Sequence, residues 1–105
     1  MYNKLVRDKI PEIIKSKGEK PITRILTGEE YKQELEKKLN EEYIEVLKAS
    51  GEARIEELAD MLEVIEALAN IENKTLEDVL SVKAIKQEKR GGFKDKIYLE
   101  GVNEL

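Results

Sequence analysis

Residues 41 to 60 read EEYIEVLKASGEARIEELAD, two helix-forming stretches joined at Ser50-Gly51, a pair that breaks the chain tightly and returns the next helix antiparallel. Winding residues 29 to 50 at about 100° per residue puts Tyr31, Leu35, Leu39, Val46 and Ala49 on one apolar face, with Glu42 near its centre and Glu45 at its flank. The same projection of residues 52 to 72 gives a broad apolar arc containing Met61, Val64, Leu68 and Ile71, in which Glu57 is embedded and Asp60 sits at the edge. Glu41, Glu56 and Glu63 point into polar faces. Glu42 and Glu45 lie about two turns before the break, and Glu57 and Asp60 about two turns after it, so the two pairs meet across the hairpin at similar height. A Glu-rich helix is ordinarily a solvated face supported by i, i+4 pairs, which accounts for Glu34, Glu36, Glu41, Glu56, Glu63 and Glu66. It does not account for carboxylates on apolar arcs, nor for Asp60, a poor residue for a helix interior. An ionised carboxylate on a core face costs several kcal/mol unless compensated, and for four converging carboxylates the simplest compensation is a hard divalent cation.

Working outward, Val6 to Ser16 reads as a short first helix, bent near its start by Pro11 and ended at Lys17-Gly18. Glu19 to Leu26 is a connector whose Ile22, Ile25 and Leu26 predict an ordered, packed loop. Thr27 with Glu30 three residues later predicts a capping box opening a long helix to about Ala49. The next helix runs from about Glu52 to Ile71, Glu72-Asn73-Lys74 links, and Thr75 with Asp78 caps a last helix through about Arg90. Gly91-Gly92 stops it, and Phe93 to Val102 reads as an extended tail or small hairpin. The fold expected over residues 1–105 is a single all-α domain. Because the arc of the Glu57 helix spans more than half its circumference, that helix needs partners on two sides, which predicts a four-helix bundle across a homodimer, with tetramers left open.

Composition narrows the chemistry. Charged residues make up 40% of the 105, yet Lys plus Arg (19) nearly balances Asp plus Glu (23), so no basic field argues for a nucleic-acid polymer as ligand. Without Cys or His, catalysis has to run on carboxylates, amines, hydroxyls or a bound metal. No segment approaches the roughly 20 apolar residues of a membrane span, and no signal-like run opens the chain, so a soluble, cytoplasmic protein without membrane partners is expected.

Glu41-Glu42-x-x-Glu45, a spacer, then Glu57-x-x-Asp60, flanked by N-terminal YNKLVRDKIPEII and C-terminal KRGGF, resembles the EExxE…ExxD signature of the all-α nucleoside triphosphate pyrophosphohydrolases, the MazG-like superfamily. The resemblance covers most of the chain and points to small single-domain members similar to phosphoribosyl-ATP pyrophosphohydrolase. It implies Mg²⁺-dependent hydrolysis of a nucleoside triphosphate between the α- and β-phosphates, with Glu42, Glu45, Glu57 and Asp60 as metal ligands and Mn²⁺ as a substitute ion. Glu41, Glu42 and Glu45 are the catalytic carboxylates this implies, one of the group accepting the proton of the attacking water. Two alternatives stay open: phosphoribosyl-ATP as the substrate, and a non-catalytic helical dimer that binds nucleotide or a protein partner.

The last helix adds cations. Leu76, Val79 and Leu80 define its inward stripe, and continuing that stripe brings Lys83, Lys86, Gln87 and Arg90 to the same side while Lys89 points away. Beside a metal–carboxylate cluster, Lys83, Lys86 and Arg90 suit the phosphates of a triphosphate; by themselves they also suit a helix C-terminus. Tyr31, Tyr43 and Phe93 are candidates for stacking on a base, although such residues at helical spacing more often serve a core. Arg7, Asp8 and Lys9 lie in the family-like N-terminal stretch with no role assigned.

Overall fold

The computed structural model describes residues 3–105 and consists of four helices: α1 (Ile10–Ser16), α2 (Gly28–Lys48), α3 (Glu52–Ile71) and α4 (Leu76–Arg90). No strand is present among the described residues, so the chain is all-α. Pro11 sits in the opening turn of α1, and the helix starts at Ile10 rather than at the expected Val6. Proline lacks an N–H and its ring crowds the carbonyl four residues earlier, so no helix can extend upstream through it. Arg7 to Ile10 form a turn closed by Ile10 N–H donating to the Arg7 carbonyl at 3.0 Å.

The connector differs from expectation in two ways. Ile22 and Ile25 are 96% and 92% exposed, because no element lies over them; of the three apolar residues expected to pack the loop, Leu26 alone is half-buried. At the start of α2, Thr27 makes no side-chain cap. The Glu30 carboxylate accepts instead from Arg24, at 2.9 and 2.6 Å, a two-pronged pair that takes the carboxylate a capping box would have used. At α4 the expected box is present: Asp78 N–H donates to Thr75 Oγ1 and Thr75 N–H to the Asp78 carboxylate. That bond holds the Asp78 carboxyl below its ordinary range.

α2 and α3 form the antiparallel hairpin on which everything else rests. Gly51 turns the chain at φ +60°, a left-handed conformation that favours glycine. Arg54, in the first turn of α3, then reaches back, its Nε donating to the carbonyls of Val46 and Ala49 at 3.1 and 2.9 Å. It ties the carbonyls at the end of α2 to the start of α3, adding to the long Ala49 N–H bond that Val46 already accepts at 3.4 Å. Across the hairpin, Leu35 and Val64 are the buried apolar residues among those described. Tyr31, Leu39, Val46 and Ala49 on α2, with Met61, Leu68 and Ile71 on α3, are half-buried around them, as the projected arcs require.

The rest of α3 is bare. Ile55, Leu58 and Leu62 face solvent, as do Val79, Leu80, Val82 and Ile85 on α4. α4 touches only α3, and the segment beyond Gly92 is neither helix nor strand, with a turn closed by Lys96 N–H on the Phe93 carbonyl at 3.2 Å. The small hairpin that was one of its two expected forms is not made. The chain spans 68 × 33 × 22 Å with a radius of gyration of 18.5 Å, against about 13 Å for a compact domain of this length. Its accessible surface is 9886 Å², whereas a folded monomer of this mass exposes roughly 6,000 Å².

Candidate metal centre

The hairpin brings Glu42 of α2 to Glu57 and Asp60 of α3. One carboxylate oxygen from each of the three lies within 4.8 Å of the others, and all three residues are half-buried. The cause is local: the 3.6-residue period puts Glu42 on the Leu35–Val46 face and Glu57 and Asp60 on the Met61–Val64 arc, and the tight turn at Gly51 fixes the height at which they meet.

Their proximity has an electrostatic signature. Burial first, then the negative charges of Asp60 and Glu57, push the Glu42 carboxyl above the ordinary glutamate range; Lys38 pulls the other way, and a hydrogen bond with Glu57 favours the protonated form.

Divalent cations fit this donor set. Oxygens on opposite sides of one hard ion are about 4.2 Å apart for Mg²⁺ and about 5 Å for Ca²⁺, so three donors within 4.8 Å of one another can converge on one ion with small side-chain movement. The set is all oxygen, a donor type that suits Mg²⁺, Ca²⁺ and Mn²⁺.

Beside the three acids lies a hollow lined by Lys4, Lys38, Glu41, Glu42, Ile44 and Glu45, about 410 Å³ in volume. Glu45 falls outside the group of three and is exposed, lining the hollow at the flank its projection gave. Glu41 is also exposed, its carboxylate accepting from Lys38 at 3.4 Å. Glu56 and Glu63 face solvent.

A residue with no role assigned from the sequence completes the rim. Arg7 Nη2 donates to Asp60 Oδ1 at 2.7 Å, carrying the N-terminal segment onto the acid cluster. The only signal for it was membership of the NKLVRDK stretch; the contact joins residues 53 apart, which no helical period encodes. Lys83, Lys86 and Arg90 are exposed on α4 and form no ion pair among the described residues. Arg90 lines a second hollow, with Gln87 and the Gly91–Ile97 turn. Tyr31 is half-buried in the hairpin, whereas Tyr43 and Phe93 are exposed. No helix among the described residues is long and apolar enough to cross a membrane.

Compared with known proteins, the chain is 48% identical over 42 residues to an uncharacterized protein of Mycolicibacterium smegmatis, a stretch covering 40% of this chain and 43% of that relative. The chain therefore aligns with less than half of the relative's length. No protein-family model matches the chain, and no solved structure matches it.

Proposed function

We propose that the protein is a Mg²⁺-dependent nucleoside triphosphate pyrophosphohydrolase, cleaving its substrate to a nucleoside monophosphate and pyrophosphate. The observation that carries this is the convergence of Glu42, Glu57 and Asp60 within 4.8 Å on facing helices, at the positions the EExxE…ExxD resemblance marks. A structural ion pair would put one cation on such a group; three carboxylates beside an open hollow keep a net negative charge even with Arg7 on Asp60.

Glu42, Glu57 and Asp60 would hold the ion, with Glu45 near enough in sequence and on the same hollow to join them. When bound, Mg²⁺ supplies positive charge to phosphate oxygens and acidifies water. The reaction adds water oxygen to the α-phosphorus and breaks the bridge to the β-phosphorus, so pyrophosphate leaves and one proton must be taken up. Glu45, which lines the hollow, is the proposed acceptor for that proton, since the Glu41 carboxylate is taken up by Lys38. Lys83, Lys86 and Arg90 are proposed contacts to the phosphates from the α4 side.

The active form is proposed to be a homodimer in which two hairpins make a four-helix bundle. The surface excess over a compact monomer is roughly 3,900 Å² per chain, and a large obligate dimer interface, about 2,500 Å² per partner, would remove much of it. Ile55, Leu58 and Leu62 offer the second apolar side of α3 for it.

The test is pyrophosphate release from canonical and modified triphosphates and from phosphoribosyl-ATP, with Mg²⁺ or EDTA. Glu42→Gln, Glu57→Gln and Asp60→Asn should each lose on the order of a hundredfold in rate, the scale of removing one preorganised charge-stabilising group. Glu56→Gln and Glu63→Gln should match the wild type. Equal losses in the outward pair would remove the assignment.

A further inference from the structure

The N-terminal segment puts cations where a triphosphate on this site would need them. Arg7 donates to Asp60 at 2.7 Å, and Lys4 and Lys38 line the hollow that Glu41, Glu42 and Glu45 also line. By contrast, Arg90 of α4 lines a different hollow, with Gln87 and the Gly91–Ile97 turn.

We infer that Arg7 is the site's polyphosphate-binding residue, seated on Asp60 in the ion-free protein and transferred to a substrate phosphate once a divalent cation takes Asp60, with Lys4 and Lys38 as its flanking cations. Three points support the transfer. The ion pair is exposed, at 57% for Arg7 and 44% for Asp60, and pairs of that kind contribute little, so releasing it costs little. Guanidinium and a divalent cation both claim the Asp60 carboxylate, and two positive charges on one carboxylate repel. The displaced guanidinium presents a planar fork that matches phosphate oxygens two at a time, and it lies at the edge of the cluster, already within reach of whatever the ion binds.

Arg7 and the metal therefore compete for Asp60 while Arg7 and the polyphosphate attract. Removing Arg7 should move the two affinities in opposite directions, which a merely structural arginine would not do. This inference rests on the pyrophosphohydrolase reading, and the test separates the two.

Titration calorimetry of the full chain with Mg²⁺ alone, then with inorganic triphosphate in saturating Mg²⁺, provides the readout without turnover. For Arg7→Gln we expect tighter Mg²⁺ binding and triphosphate binding weaker by roughly ten- to hundredfold, the value of a charged hydrogen bond. Arg7→Lys, which keeps the charge but not the fork, should fall between, and Lys83→Ala should hold triphosphate better than Arg7→Gln does. Unchanged triphosphate affinity in Arg7→Gln, or weaker Mg²⁺ binding in it, would overturn the assignment. A wild type that binds Mg²⁺ but neither binds triphosphate nor releases pyrophosphate would overturn the parent reading as well, so the two failures appear in different proteins.

Discussion

Glu42 of α2 and Glu57 of α3 face each other across the hairpin with carboxylate oxygens within 4.8 Å, and the Glu57 charge adds to the cost of ionising Glu42. That relationship links the stability of the fold to the chemistry of the site, since like charges held together without a cation strain the structure that later uses them.

The first consequence is a pH dependence. The folded state holds the Glu42 proton more tightly than the unfolded chain does. Below the ordinary glutamate value both states are protonated and nothing is lost. As pH rises past about 4.3 the unfolded chain ionises first, and stability falls until the raised folded value is passed. Denaturant unfolding in EDTA should therefore show Glu42→Gln gaining on the wild type between about pH 4 and neutrality. Asp78 and Glu30, whose carboxyls are held low, shift both proteins alike and cancel in the difference. A gap that does not change with pH, or that narrows, would contradict the assignment.

Mg²⁺ should reverse this penalty. A ligand that binds only the folded state at a hundred times its Kd stabilises by about 2.7 kcal/mol, so the wild-type thermal midpoint should rise by several degrees. Glu42→Gln/Glu57→Gln should not respond. Equal shifts in both proteins would place the ion elsewhere.

Much of this arrangement is legible in the sequence because it is local. The bounds of α3 and α4 follow from Ser50-Gly51, Thr75 with Asp78, and Gly91-Gly92, and the half-buried state of Glu42, Glu57 and Asp60 follows from helical phase alone. Glu45 sits at the border of its arc, where a small error in phase decides between inside and outside. What was not legible depends on partners distant in sequence or on competing ones. Arg24 captures Glu30 before Thr27 can use it, and Arg7 finds Asp60 through the path of the N-terminal segment, which has no period to read. Ile22 and Ile25 carry hydrophobicity without direction, and the burial expected of them is absent within one chain.

The bare side of α3 predicts association. Sedimentation should give twice the chain mass of 12.1 kDa. Leu62→Lys, a charge placed on the exposed side of α3 away from the three acids, should shift the protein toward monomer and lower its stability. A wild type that sediments as a monomer at micromolar concentration would contradict the four-helix bundle.

The turn that sets the height of the acids has its own test. At Gly51 no atom lies within 4 Å of an added Cβ, so space is not the constraint; its φ of +60° is. Gly51→Ala should cost about 1 to 2 kcal/mol through backbone strain, measured by urea unfolding. A neutral or stabilising result would show that the turn relaxes freely and that the register across the hairpin is held by α2–α3 packing alone.

The most direct test of the central claim is pyrophosphate release from a panel of nucleoside triphosphates, comparing wild type with Glu57→Gln in Mg²⁺ and in EDTA. The account predicts stoichiometric monophosphate and pyrophosphate from at least one triphosphate, abolished by EDTA and slowed about a hundredfold by Glu57→Gln. Release of orthophosphate instead, or activity that survives both EDTA and the substitution, would contradict it.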